Sequence, residues 1–359
     1  MLNIICSLFN LILDTGIIPS NWALGYVIPI YKNKGARDDP NNYRGITLLS
    51  ALGKLFTSIL NTRVTNFVDN VGLLGEEQAG FRANYSTMDH IFTLNSIIDM
   101  YIKNGKRLYC AFVDYKKAFD LIDRSALWST LIANGINGKV TTVIYNLYND
   151  AKSCIKSNNS FSKYFECNVG VRQGENLPLL FAIFLNDLEM SFVKDGIPGL
   201  KFVNNNVKKY LSDDDIETWL RLYVLLYADD TIIFAENEND LHNSLQTLYN
   251  YCETWKLSVN SCKTKIVIFS RGKVRKKPNV YFGNELIEIC DDYTYLGVNF
   301  NYNGKFMKAI NIQISQARKA MFALLAKVTK LHLPIDISLD LFDKLVLPIL
   351  LYGMRGLGI

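Results

Sequence analysis

The stretch Leu222–Glu236, LYVLLYADDTIIFAE, constrains this chain more than any other. Its apolar runs Leu222–Tyr227 and Thr231–Ala235 are separated only by Ala228, Asp229 and Asp230. That spacing predicts a buried β-hairpin with two carboxylates at its tip. An isolated Asp-Asp pair is ordinarily a solvated turn. A second stretch, Leu108–Asp120 (LYCAFVDYKKAFD), changes the reading, because another near-continuous apolar strand there ends in Asp114. Carboxylates gathered at the ends of buried strands repel one another unless a divalent cation neutralises them. Hard oxygen donors suit Mg²⁺, and two such ions about 3.5–4 Å apart are the usual arrangement for in-line phosphoryl transfer.

The 359 residues allow two or three domains or one large multi-lobed unit, and a hydrophobic share of 49% permits a sizeable core. The net charge of +5 is mild, but Lys263–Lys277 holds seven Lys/Arg and no acid. That run reads equally well as a solvated loop or as a phosphate-contacting surface. Seven scattered cysteines without a C-x-x-C pair give neither a zinc set nor a disulfide framework. They point to a reducing, intracellular compartment, nucleus or cytoplasm. Met1–Leu13 lacks a basic leader and a cleavage site, and its apolar residues Ile4, Ile5, Leu8, Phe9, Ile12 and Leu13 keep helical spacing. No apolar run reaches ~18 residues, so neither a signal peptide nor a membrane span is expected.

Trp22–Lys32 reads as a strand opening into a polar loop, and Leu52–Val68 as a long amphipathic helix. Ser86 and Asp89 form a capping box. Helices follow near Leu127–Ala133 and Val140–Tyr148, then a hairpin turning at Asn158–Asn159. A helix should begin just after Gly174, and Phe192–Ile216 should be a loop. Lys265–Ser270 is strand-like, Asn279–Ile289 a small hairpin, and Ala309–Thr329 and Ser338–Leu350 two closing helices. Helices mixed with antiparallel hairpins make the fold class α+β.

Read in order, the distinctive blocks are YRGITLLS (Tyr43–Ser50), QAGFR (Gln78–Arg82), AFVDYKKAFD (Ala111–Asp120), GVRQGENL (Gly170–Leu177), YADD (Tyr227–Asp230) and KTK (Lys263–Lys265). YLGV (Tyr295–Val298) and LPILLYG (Leu347–Gly353) complete the series. The series closely resembles the reverse transcriptases of non-LTR (LINE-type) retrotransposons over nearly the whole chain. The resemblance implies a right-hand polymerase with an antiparallel palm sheet: fingers with an N-terminal extension at 1–106, palm at 107–272 and a partial thumb at 273–359. It implies RNA-directed DNA synthesis from an RNA template, a DNA primer and dNTPs, with two Mg²⁺ ions, or Mn²⁺ in their place. No membrane is implied, and no protein partner is predictable.

Carried over residue by residue, Asp114 and Asp229 would hold the metals and Asp230 would support them as the third catalytic acid. Phe119 would lie beneath the incoming sugar and exclude a ribose 2′-hydroxyl; the plain alternative is a core aromatic. Arg82, and less directly Arg44, would pair with the triphosphate, since a guanidinium fork matches phosphate; a surface ion pair is the alternative. Gln173 and Gly174 would let template or nucleotide approach the backbone, and Lys263 or Lys265 would approach the leaving phosphate. Asp123 is expected to cap a helix near Ala126. His90, His242 and His332 are isolated and carry no expected chemistry. Tyr115 and Tyr227 border the acids, as packing or as primer contacts.

Three departures from the family pattern stand out. Gly45 replaces a common Pro, one residue is missing between Leu177 and Pro178 relative to QGENLSP, and the ending LYGMRGLGI differs from LYGxEVWG. With no endonuclease-like or Cys/His-knuckle segment in the sequence, they leave an alternative, an inactive relic that at most binds nucleic acid. The gap after Leu177 is expected to strain Gln173–Asn176.

Overall fold

The computed structural model describes residues 2–157, 160–172, 174–202 and 221–357. The expected turn at Asn158–Asn159, Gln173 and most of the expected loop before Ile216 lie outside the described residues. The chain divides into two compact units, Met1–Arg82 with Tyr115–Leu188 and Asn250–Ser258, and Ala83–Asp114 with Glu189–Tyr249 and Val259–Ile359.

In the first unit the helix Leu2–Thr15 buries only Phe9 and Ile12 of its apolar stripe. Phe9 packs against Trp22 and Phe56, with ring centroids 6.1 and 5.1 Å away. The strand Leu24–Tyr31 pairs antiparallel with Tyr43–Leu48 and parallel with Lys152–Ser157, which in turn pairs with Ser160–Phe161 and Phe165–Glu166. The helix Ala51–Asn70 buries Phe56, Leu60, Val64 and Val68, a four-residue repeat that keeps one face inward. Asp123 caps the helix Arg124–Ala133 as expected, its Oδ1 accepting the Ala126 N–H at 3.1 Å.

The helix expected just after Gly174 begins at Leu179 instead. Gly174 sits at φ +109°, a backbone state no helix contains, so the chain must first turn. Pro178 stands at the head of that helix with φ −68° and ψ −21°. Its missing N–H is one of the four that a helix start leaves unpaired in any case. Leu179–Phe184 is buried throughout.

The second unit is organised on a six-stranded sheet in the order Val280–Phe282, Glu285–Cys290, Lys265–Phe269, Leu108–Val113, Asp230–Ala235, Val224–Tyr227. All six residues of Leu108–Val113 are buried, as a continuous apolar run in an interior strand requires. The sheet is expected to be antiparallel, and four of its five pairings are; Lys265–Phe269, however, pairs parallel with Glu285–Cys290. Val280–Phe282, antiparallel to Glu285–Cys290, is the return segment that a parallel pairing needs. One face of the sheet packs Leu108, Cys110, Phe112, Ile232, Phe234, Val267 and Phe269 against Ile91, Leu94 and Ile98 of the helix Thr87–Lys103. That helix opens with the expected capping box, Asp89 accepting the Ser86 N–H at 2.6 Å.

The YLGV block forms a tight hairpin. Leu296 and Gly297, at φ +44° and +81°, join Asp292–Tyr295 to Val298–Asn301. The helix Met307–Leu331 follows. The helix expected over Ser338–Leu350 is split into Ile335–Leu345 and Leu347–Leu351. Pro348 causes the break, since it lacks an N–H and its ring blocks the carbonyl four residues back. Phe192, expected in a loop, is fully buried in the helix Leu188–Lys194 and stacks near Tyr223, 6.4 Å away. Among the described residues no helix is long and apolar enough to cross a membrane.

Candidate active site

The three acids singled out in the sequence meet at one end of the six-stranded sheet. The ladder pairs Thr231 with Val113 and Asp230 with Tyr227, so Asp114 and Asp230 leave neighbouring strands side by side. Ala228, at φ +58°, turns the hairpin over and sets Asp229 at its tip. The crowding has an electrostatic signature. Although its outer edge meets solvent, Asp230 has its pKa pushed up to about 6, first by burial and then by the charges of Asp229 and Asp114. Tyr293, stacked on Phe112 at 4.4 Å, is pushed up to about 12 by burial and by Asp230 and Asp114.

Asp114 is gripped through its backbone by a turn that sequence reasoning did not single out. Its N–H donates to Thr264 Oγ1 at 3.1 Å, and its carbonyl accepts the Asn260 N–H at 2.7 Å. Thr264 is almost wholly buried. The signal was present, since Thr264 is the middle residue of the KTK block. From the same turn, the Lys263 ammonium lies 3.4 Å from Asp114 Oδ2, while Lys265 turns away to Glu288 at 2.7 Å and to the Cys262 carbonyl at 2.6 Å.

The basic stretch Lys263–Lys277 is less unopposed than its sequence suggests. Lys273 and Lys277 both pair with Asp291, so four of its seven cations are matched by acids from outside the stretch. Behind the acids, His90 and Tyr295 form a second unanticipated pair. Both are buried, and His90 Nδ1 lies 3.2 Å from the Tyr295 hydroxyl. The Tyr227 ring meets His90 edge-on at 6.0 Å. Burial lowers the His90 pKa to about 4, against a smaller opposing effect of Asp89.

The remaining candidates belong to the first unit. Phe119 lies in the short helix Ala118–Leu121, its ring 4.5 Å from Phe181 and edge-on to Phe81 at 5.9 Å. Gly174 is pressed against the backbone: a Cβ there would come within 2.6 Å of the Thr47 carbonyl oxygen. Arg82 braces its own loop, donating to the carbonyls of Gly75 at 2.8 Å and Gln78 at 3.2 Å, with Glu76 at 3.7 Å. Arg44 is exposed on the strand Tyr43–Leu48, opposite Ile30. Gln173 lies outside the described residues.

Among the described residues no group of three or more His, Cys, Asp or Glu is placed to hold a metal ion unaided. Magnesium binds through one or two carboxylates with substrate phosphates and water completing the shell, so a closed protein cage is not what it requires. The all-oxygen donors and the raised pKa of Asp230 fit a site that gains from a cation.

The chain is similar to known proteins in sequence and in fold. The chain is 25% identical over 359 residues to the probable RNA-directed DNA polymerase from transposon BS of Drosophila melanogaster, covering 98% of this chain and 38% of that protein. It is 23% identical over 368 residues to the RNA-directed DNA polymerase from mobile element jockey of the same organism, covering 100% and 38%. The chain therefore spans less than half the length of either. In fold it is similar to telomerase from Candida tropicalis, solved with a TWJ fragment of telomeric RNA. The TM-score is 0.52 at 14% identity, covering 94% of this chain and 54% of that one. Residues 30–300 match the family described as reverse transcriptase (RNA-dependent DNA polymerase), and with the acids grouped at the sheet end the chain belongs to that family.

Proposed function

We propose that this chain is an RNA-directed DNA polymerase of a non-LTR retrotransposon, transferring nucleotides from dNTPs to a DNA primer 3′-hydroxyl on an RNA template. Residues 1–106 would serve as fingers with an N-terminal extension, 107–272 as palm and 273–359 as a partial thumb. The observation that carries the reading is the convergence of Asp114, Asp229 and Asp230 at one sheet end, where burial and then the charges of its two neighbours push the Asp230 pKa up to about 6.

Asp114 and Asp229 would hold two Mg²⁺ or Mn²⁺ ions, which when bound would supply charge neutralisation for the triphosphate and acidify the primer hydroxyl. The chain's own part is position and charge. Thr264 and Asn260 fix the Asp114 backbone, and Ala228 aims Asp229. Lys263, 67% exposed, is better placed to reach an entering phosphate than Lys265, which is held by Glu288. Arg82 and Arg44 would meet the triphosphate, Phe119 would sort the sugar, and Gln173 and Gly174 would give the nucleotide a close backbone approach. Pro178 is seated at a helix start, so the helix itself accommodates the residue missing before it.

Primer extension on an RNA template with Mg²⁺ tests the reading. Asp229→Asn should abolish extension while leaving primer–template affinity within about twofold. Undiminished extension by that variant would refute it.

A further inference from the structure

Arg124, the first residue of the helix Arg124–Ala133, has no place in the reading above, yet its side chain is fully engaged. Nε donates to the Gly170 carbonyl at 2.9 Å, Nη1 to the Tyr148 carbonyl at 2.8 Å and Nη2 to the Val169 carbonyl at 3.3 Å. Its guanidinium lies over the buried Tyr148 ring, 5.0 Å from the centroid. A planar fork with fixed donor directions is what three such carbonyls require.

The gripped backbone is the backbone that holds Phe119. The Gly170 N–H donates to the Ile122 carbonyl at 2.8 Å, and the Val171 N–H to the Phe119 carbonyl at 2.7 Å. The approach is close: a Cβ on Gly170, at φ +75°, would lie 2.4 Å from the Asp120 carbonyl oxygen. On the far side, Arg172 donates to the Ala23 carbonyl at 2.8 Å and the Trp22 carbonyl at 3.3 Å. Phe119 sits in a helix of four residues that follows Lys117 at φ +48°. So short a helix has no stability of its own. Its position is set by what it is bonded to.

We propose that Arg124 is a positioning residue for Phe119: by clamping Val169 and Gly170 it sets the depth of the ring that separates deoxyribose from ribose. The inference rests on the polymerase reading of the chain. A lysine at 124 keeps the charge but cannot span three carbonyls, so the 169–171 segment and the Phe119 turn would shift together. The Phe119 side chain would then lose registry with the sugar.

The test is the ratio of kcat/KM for a dNTP to that for the matching rNTP, in Arg124→Lys, Arg124→Gln and Phe119→Val, on one RNA template. The ratio is independent of the active fraction, so partial misfolding does not move it. Whichever Arg124 variant folds should lose about tenfold in selectivity, below the ~10²-fold that a full 1 Å misplacement can cost. Phe119→Val should lose at least as much. An unchanged ratio in the Arg124 variants, or in Phe119→Val, overturns the inference. No extension at all by the parent overturns the polymerase reading, and the inference with it.

Discussion

Removing the imidazole of His90 should flatten the acid limb of the stability curve. His90 is 3% exposed, and burial lowers its pKa from 6.5 to about 4. The physical cause is local. Nδ1 is matched by the Tyr295 hydroxyl at 3.2 Å, but Nε2 has no partner among the described residues, so a second N–H there would be stranded. The folded protein therefore keeps the ring neutral while the unfolded chain takes up a proton near pH 6.5. The depressed folded value means stability is fully present above about pH 6.5 and is lost as pH falls towards about 4. A shift of about 2.5 units corresponds to about 3.4 kcal/mol at the acid limit, of which about 2 kcal/mol has gone by pH 5. Urea unfolding of the parent and of His90→Gln at pH 7.5 and 5.0 isolates this contribution, because the other groups titrate alike in both. The parent should lose about 2 kcal/mol more than the variant between the two conditions. Identical losses would refute the argument and mean that the ring is charged, or hydrated, in the folded protein.

Two further outcomes follow from the segment before Pro178. Gly174→Ala should destabilise the protein by at least about 2 kcal/mol in urea unfolding, because φ +109° disfavours any Cβ and the Thr47 carbonyl blocks it at 2.6 Å; a smaller effect would mean the loop yields. Inserting Ser between Leu177 and Pro178 should leave single-turnover dNTP incorporation within about twofold of the parent or lower it, and a tenfold gain would show the turn to be strained after all.

Local features were legible in the sequence because the signals for them are local. Val224–Tyr227 and Asp230–Ala235 follow from two apolar runs around three residues, and the caps at Asp123 and Asp89 from side chains that reach only three positions. The parallel pairing of Lys265–Phe269 with Glu285–Cys290 was not legible, since the same alternation serves either direction. Nor was the neutralisation of Lys273 and Lys277 by Asp291, 18 and 14 residues away, because charge runs say nothing about what the fold brings opposite them. Phe192 was misjudged for a related reason: a polar neighbourhood in sequence concealed an apolar one in space. In the candidate site the acids were legible and their support was not. Thr264 lies 150 residues from the N–H it accepts.

That division between acids and support separates Asp123, a structural carboxylate, from Asp114, to which we assign chemistry. Asp123 uses its oxygens to hold the fold: Oδ1 caps the Ala126 N–H, and Oδ2 takes Lys256 at 2.6 Å. Its pKa is lowered, first by the Lys256 hydrogen bond and then by the cap, so the group is satisfied where it stands. Asp114 is fixed differently. Thr264 and Asn260 hold its N–H and its carbonyl, so its position does not depend on its carboxylate. The side-chain pairing shown for it is to Lys263, which is 67% exposed and 3.4 Å away, and an exposed pair of this kind contributes about 0–1 kcal/mol. The neighbouring Asp230 has its pKa pushed up to about 6, first by burial and then by the charges of Asp229 and Asp114. Anchored by its main chain, Asp114 keeps its place without calling on its carboxylate, which is what the role proposed for it requires.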